Sequence, residues 1–438
     1  MNKKFLHYID YKLIAPVICL IAIGFVSLYS ACIKYGSSLK FIFIQIISCI
    51  LGSLICYFLA KFNYIFYKKY YLFIYFVSII LLGLVLIFGS FKRGTKGWFN
   101  FGLFSFQPVE IAKIMFILAI SSFLDNNILH INRIRCLSTI MMFLAGHLIL
   151  IMLQPDFSST LSYFPIIMIL LFIVDIKRFY LLCIFILGII SLGIPLLKTF
   201  SEMYLLHYHK DMFLTHTANA NVRLIFIFIC FILAISIWFI LKQIKIKVSI
   251  KYIVILLFIV ILGNICSLPI EHSLKNYQKK RFIVFLNPQI DPYGFGYNII
   301  QSKIAIGSGK LFGKGFKNGS QTQLGFLPEQ HTDFIFSLIG EEGGWILAQL
   351  TIIIYLFFIL RSLSIAKEAK DRYGSLVAIG ITTMFMFYAI INIGMTMGLM
   401  PVTGMPLLFI SYGGSSMVSS LCAVGILCSI ASKKYSYY

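Results

Sequence analysis

Asp291 is the residue of this chain best suited to acid–base chemistry. It lies in the run Asn287-Pro288-Gln289-Ile290-Asp291-Pro292-Tyr293-Gly294, where two prolines restrict the backbone around it. A carboxylate held rigidly in a polar, basic loop can take a proton from a hydroxyl group. It can equally be a turn aspartate bonded to its own backbone. Downstream, His331 and Asp333 lie two residues apart, a spacing open to a relay or to part of a metal site. A lone histidine is more often a plain hydrogen-bonding residue.

Charged residues inside apolar segments form the second group, because burying them is costly. Glu110 and Lys113 are three apart at the start of one such segment and share a helix face. They fit two roles, a pair lining a substrate cavity or a neutralised structural pair. Asp156 follows Gln154-Pro155 in a short turn, where it can cap the next helix or act on a substrate. Glu341 and Glu342 are adjacent, so on a helix they diverge by about 100°. They are therefore no acid/base dyad; one is expected to face a cavity and the other a neighbouring helix. His207, His209, Asp211 and His216 form a weak metal-like cluster, for which a solvated loop is the simpler reading. Ser308-Gly309-Lys310 and Gly313-Lys314-Gly315 do not make a phosphate-binding loop, since the G-x-x-x-x-G-K-[ST] spacing is missing. No G-x-S-x-G or H-E-x-x-H motif occurs.

These residues must be positioned by membrane helices. Of the 438 residues 60% are hydrophobic and 12% charged, against roughly half and about 25% in soluble domains. Twelve segments are apolar enough to span a bilayer: 13–33, 41–60, 70–89, 108–124, 136–153, 158–175, 179–197, 223–241, 251–268, 334–360, 375–398 and 406–430. The fold class is an all-α polytopic membrane protein. Nothing at the N-terminus resembles a cleavage site, so the first span is read as retained. The net charge of +22 points to cytoplasmic loops meeting anionic lipid rather than to nucleic acid, for which no motif is present. The gaps carrying Lys3, Lys68, Arg133, Lys177, Lys245, Lys367 and Lys433 fall on one side, assigned to the cytoplasm with both termini. Loops 90–107, 154–158, 198–222, 269–333 and 399–405 then face outward. The loop 269–333 is nevertheless basic and rich in glycine, which suggests a structured surface for an anionic ligand. The ten cysteines lie in or beside apolar runs and read as packing residues.

Five stretches, taken in chain order, resemble the SEDS family of shape, elongation, division and sporulation proteins, most closely its RodA branch. They are Gly97-Trp98 through Lys113; Gln154-Pro155-Asp156; residues 286–336, with Ile300 through Gly309 and Gln321-Thr322-Gln323-Leu324; Asn392 through Met395; and Pro401 through Gly414, with Ser411-Tyr412-Gly413-Gly414. The resemblance implies one domain over 1–438, with ten family spans, an apparent inserted hairpin of spans at 198–250 and an extracytoplasmic catalytic loop at 269–333. It implies a peptidoglycan glycosyltransferase of the bacterial inner membrane that polymerises lipid II with inversion and releases undecaprenyl pyrophosphate. By resemblance Asp291 is the base, and the substrate-binding set is Glu110, Lys113, Lys96, Asp156, Gln301, Lys303, His331, Asp333 and Ser411. No tightly bound cofactor is implied; a divalent cation, Mg or Mn, is compatible with pyrophosphate departure. The implied partners are a class B penicillin-binding protein and other membrane proteins of the elongation complex. Gly374, Gly380, Gly394 and Gly398 mark small-residue stretches that permit close approach of such a partner. Where the family usually has Arg before the loop Trp, this chain has Gly97, leaving Lys96 or Arg93 to supply charge. Alternative readings are a lipid II flippase and a non-catalytic scaffold.

Overall fold

The computed structural model describes residues 10–32, 38–92, 94–102, 105–208, 250–273, 276–291 and 293–433, with isolated positions between 228 and 243. Its helices are α1 (Tyr11–Cys32), α2 (Ser38–Lys61), α3 (Ile65–Lys69), α4 (Tyr71–Phe88), α5 (Pro108–Asn126), α6 (Ile134–Leu153), α7 (Phe157–Ile173) and α8 (Arg178–Tyr208). They continue with α9 (Ile250–Ser273), α10 (Asn276–Leu286), α11 (Phe295–Ser308), α12 (Ser320–Gln323), α13 (Ile335–Glu342), α14 (Gly344–Glu368), α15 (Arg372–Thr396) and α16 (Gly414–Ser432). Among the described residues nine helices are long and apolar enough to cross a bilayer, and α7 is a shorter apolar one. α5 is of spanning length but carries Glu110, Lys113 and Asp125. The chain is an integral membrane protein. The expected span 223–241 and the greater part of 198–250 lie outside the described residues.

The chain divides into two compact units, Met1–Val174 with Tyr297–Tyr438, and Asp175–Gly296. In the first unit α2 packs along α16, α5 along α4, and α15 between α7, α14 and α5. α15 and α16 are the buried centre. The glycines expected to offer a partner face are used inside the chain instead. A side chain at Gly380 would meet Ile117 of α5, one at Gly394 would meet Met400, and one at Gly398 would meet Lys303.

Three expectations need correction. Segment 90–107 is not plain loop but a small antiparallel sheet of β1 (Ser90–Lys92), β2 (Thr95–Asn100) and β3 (Ser105–Phe106). Its aromatic and β-branched residues suit a pleated surface. Span 334–360 is two helices. Gly344 has φ +67°, a left-handed conformation that ends α13 and restarts the chain as α14. Span 406–430 begins only at Gly414, since residues 399–413 form an irregular stretch containing Pro406 and a positive φ at Phe409. Hydropathy alone cannot see either break.

The first unit has two chemically different ends. At one, Tyr64 donates to Asp371 (2.6 Å), Lys68 pairs with Asp125 (2.6 Å), and Arg361 clasps Asp10. At the other, α1, the start of α2, the sheet, α5, α7, segment 309–333 and the start of α16 are stitched together. Gln107 N–H donates to Ser415 Oγ (2.9 Å), Gln154 Nε2 to Leu82 O (3.1 Å), and Gly413 N–H to Gln45 Oε1 (3.1 Å). In the first unit, the segments expected to face the same side of the membrane thus gather at the same end.

In the second unit α8 and α9 pack closely at Ile190 and Gly263, and Lys198 pairs with Glu271 across them. α8 runs on to Tyr208, so the start of the expected loop 198–222 is helical. α10 packs on α8 and on the turn at Pro288–Ile290.

Candidate functional site

Asp291 stands in the second unit, directly after a single 3-10 turn at Pro288–Ile290. That turn is capped by Asn287, whose side-chain oxygen accepts from Gln289 N–H (3.1 Å). The Asp291 main-chain carbonyl accepts from Gly294 N–H (3.3 Å) and Gly296 N–H (3.0 Å). The side-chain capping role therefore belongs to Asn287, while Asp291 closes the following turn through its backbone. The carboxylate lies over Gly294, where a Cβ would sit 2.4 Å from Asp291 Oδ2. Only glycine leaves room for it there. Asp291 is half-buried.

The other expected site residues separate into two kinds. Glu110, Lys113, Asp156 and Ser411 are buried and committed. Lys113 is fully buried, 3.0 Å from Glu110 Oε1; it donates to the Tyr388 hydroxyl and lies 4.5 Å from that ring. Lys113 and Glu110 form an ion pair inside the bundle. Asp156 caps α7. Its Oδ1 accepts from Ser159 N–H (3.1 Å) and Ser158 Oγ (2.8 Å), and its Oδ2 from Ser159 Oγ (2.7 Å) and Gln107 Nε2 (3.0 Å). Four donors leave this carboxylate little capacity for a ligand. Ser411 accepts from Leu407 N–H (2.8 Å) and donates to Thr332 O (2.7 Å), shaping the irregular stretch 399–413.

Lys96, Gln301, Lys303, His331 and Asp333 lie nearer the surface. Lys96 is on β2. Lys303 is exposed on α11, its stem against Gly398, and Gln301 keeps a buried Oε1 without a hydrogen-bond partner. His331 packs on Phe41 and Tyr412 and its carbonyl accepts from Tyr412 N–H (3.0 Å). Asp333 lies at the end of α15, where its carbonyl accepts from Asn392 Nδ2 (3.0 Å). Among the described residues no three His, Cys, Asp or Glu side chains form a metal-like group. His209, Asp211 and His216 lie outside the described residues.

Sequence reasoning missed a clasp. Glu341 and Glu342 both hold segment 309–323 onto the α13–α14 break. Glu341, fully buried, accepts from Lys314 Nζ (2.8 Å), Gln321 N–H (2.9 Å) and Thr322 N–H (3.0 Å). Burial acts to raise its pKa, but these donors outweigh that and hold it below the ordinary carboxylate value. Glu342 accepts from Ser30 Oγ (2.6 Å) of α1 and Gln323 Nε2 (3.0 Å). The helix ends are satisfied by the same segment. Lys314 N–H and Gly315 N–H donate to the carbonyls of Glu341 and Glu342 (both 3.0 Å), and Trp345 N–H donates to Lys310 O (2.8 Å). Lys314 is therefore spent on the fold and not on a ligand. The signal in the sequence was the run Glu341-Glu342-Gly343-Gly344, acidic residues at a helix end followed by glycines.

The sequence profile of the FtsW/RodA/SpoVE family, described as "Cell cycle protein", matches residues 11–223 and 217–436. The chain belongs to this family. Within the FtsW/RodA/SpoVE family it is 34% identical over 437 residues to the peptidoglycan glycosyltransferase RodA of Treponema pallidum, covering 97% of this chain and 98% of that one. It is 32% identical over 358 residues to the peptidoglycan glycosyltransferase MrdB of Escherichia coli K12, covering 82% and 76%. Its fold matches a chain of a peptidoglycan synthase complex, solved to show the structural coordination of polymerization and crosslinking. The TM-score is 0.68 at 22% identity, covering 98% of both chains. It also matches the crystal structure of the rod shape determining protein RodA of Thermus thermophilus, with TM-score 0.60 at 21% identity and 98% coverage of both.

Proposed function

We propose that this protein is the peptidoglycan glycosyltransferase of cell elongation, polymerising lipid II into glycan strands in the bacterial inner membrane. The similarity to a glycosyltransferase of the same family along nearly the whole of both chains carries this reading. Asp291 is its base, held by a proline-bounded turn over Gly294. The acceptor's 4-hydroxyl gives its proton to the Asp291 carboxylate as its oxygen attacks the donor's anomeric carbon. The bond from that carbon to the pyrophosphate oxygen breaks, and undecaprenyl pyrophosphate leaves. One direct displacement inverts the anomeric centre and needs one base. Exposed cations such as Lys303 counter the charge of the departing pyrophosphate. A divalent cation suits this role when carried mainly by the pyrophosphate oxygens, because Mg²⁺ needs only one or two protein carboxylates. Lys96, Gln301, His331 and Asp333 are the proposed substrate contacts. Glu110, Lys113, Asp156 and Ser411 act by holding the framework.

The working partner is a class B penicillin-binding protein, which crosslinks the strand, alongside other elongation proteins. The fold match to a synthase complex supports this. Both termini lie in the cytoplasm and segment 269–333 outside. Introduced cysteines at Lys317 and Lys367 should label from opposite sides of the membrane; labelling of both from outside would refute the orientation. The test of activity is polymer formed from lipid II by the purified protein, with and without its partner. Glycan chains that vanish in Asp291→Asn support the reading. Lipid II movement across vesicles without polymerisation would favour a flippase, and neither activity a scaffold.

A further inference from the structure

At the end of the first unit that bears the Asp10–Arg361 clasp, a groove opens between α7, α14 and the start of α15. Its inner part has a volume of about 330 Å³ and is walled by Ile169, Leu363, Ile379 and Met386. That size falls within the range of roughly 300–1,000 Å³ seen for ligand clefts. The hydroxyls at its wall do not make it polar. Thr382 Oγ1 donates to Ala378 O (2.7 Å) and Thr383 Oγ1 to Ile379 O (2.8 Å), so both are satisfied within their own helix. The outer part, about 280 Å³, is lined by Lys367, Lys370, Asp371 and Arg372. The two parts share Ile173, Ala366, Lys367 and Ser375. The groove therefore runs from an apolar floor to a cationic mouth along one path.

The acidic groups at the mouth are engaged elsewhere. Asp371 caps α15 through Gly374 N–H (3.3 Å) and accepts from the Tyr64 hydroxyl (2.6 Å). Glu368 accepts from Ser364 Oγ (3.0 Å) and lies 3.8 Å from Arg361. Lys367 and Arg372 are exposed and form no ion pair among the described residues. A neutral lipid would leave two cations without a counter-charge, and a soluble anion would leave the apolar floor bare. Only an amphiphile with a negatively charged head matches both halves.

We infer that this groove binds one anionic phospholipid, its phosphate between Lys367 and Arg372 and an acyl chain along Ile169, Ile379 and Met386. The site rests on these residues and not on the proposed glycosyl transfer. The occupant would brace α7 against α15, a largely buried helix.

The test uses the full chain in vesicles of equimolar phosphatidylglycerol and phosphatidylcholine. Lipid retained after mild detergent extraction is counted by native mass spectrometry. The wild type should keep one phosphatidylglycerol that the double variant Lys367→Gln/Arg372→Gln releases, with affinity weakened on the order of tenfold or more. Ser375→Leu, which narrows the junction but keeps both charges, should release the same lipid, so a folding failure in the double variant does not decide the outcome. Lys69→Gln, which removes a cation outside the groove, should leave retention unchanged. Equal loss in Lys69→Gln would mean general charge attraction only and would overturn the site. So would retention of the lipid in Ser375→Leu, or selective retention of phosphatidylcholine. The activity assay is separate, so failure of either proposal leaves the other standing.

Discussion

Asp156 and Asp291 both occupy proline-containing turns, and they end in opposite circumstances. Asp156 is buried, and four donors converge on its two oxygens. Asp291 is half-buried on a turn whose side-chain cap is Asn287 and whose next bonds run through its own main chain. A carboxylate whose two oxygens are taken up by four donors serves as a cap and has little room for a ligand. One set beside a glycine, with its turn closed by other groups, is the better candidate for accepting a proton. The difference comes from the place of each residue in its turn and not from residue type.

The largest expected effect falls on Asp291. Asp291→Asn keeps shape and removes the basic carboxylate, so polymerisation should fall by about 10²–10⁴-fold at near-normal protein level and lipid II binding. An Asn variant with most of its activity would place Asp291 with Asp156 as a turn residue and end the proposed mechanism. Asp333→Asn, in the same assay, should lose less.

Next comes the clasp at Glu341. Glu341→Ala leaves Lys314 and the Gln321 and Thr322 N–H groups without their acceptor, at a cost of about 3–5 kcal/mol. The apparent melting temperature in detergent should drop sharply. The same site predicts a pH dependence. A carboxylate whose pKa is lowered on folding contributes stability that is fully present above its ordinary value of 4.5 and lost as pH falls through the lowered one. Thermal unfolding of the wild type should therefore weaken below pH 4.5 more steeply than that of Glu341→Gln. Parallel curves for the two would remove Glu341 as the source.

Asp156→Ala should have the smallest effect. Loss of an N-cap costs roughly 0.5–2 kcal/mol, read as a modest melting shift with turnover per folded molecule largely kept. A collapse of turnover at unchanged stability would bring Asp156 back as a substrate contact and erase the contrast with Asp291.

Much of the fold was legible in the sequence because spans are local. A run of apolar residues long enough for a bilayer must be helical, since no water is there to satisfy the backbone. The alternation of basic gaps sorted the segments, and in the first unit those sorted together meet at one end. The boundaries at Gly344 and Gly414 were hidden, because apolar composition continues through a break that backbone geometry imposes. The sheet at 90–106 was hidden by its short strands.

The sequence by itself determined that this is a many-span membrane protein with a glycine-rich, basic loop, and its motifs were enough to mark Asp291. Which charges are spent was decided only by the tertiary structure. Lys113 is sealed against Tyr388, a residue of α15 far along the chain, and Glu342 is tied to Ser30 of α1. Composition reports the cost of burying a charge, but whether that cost is met depends on donors and acceptors that meet only after the helices pack.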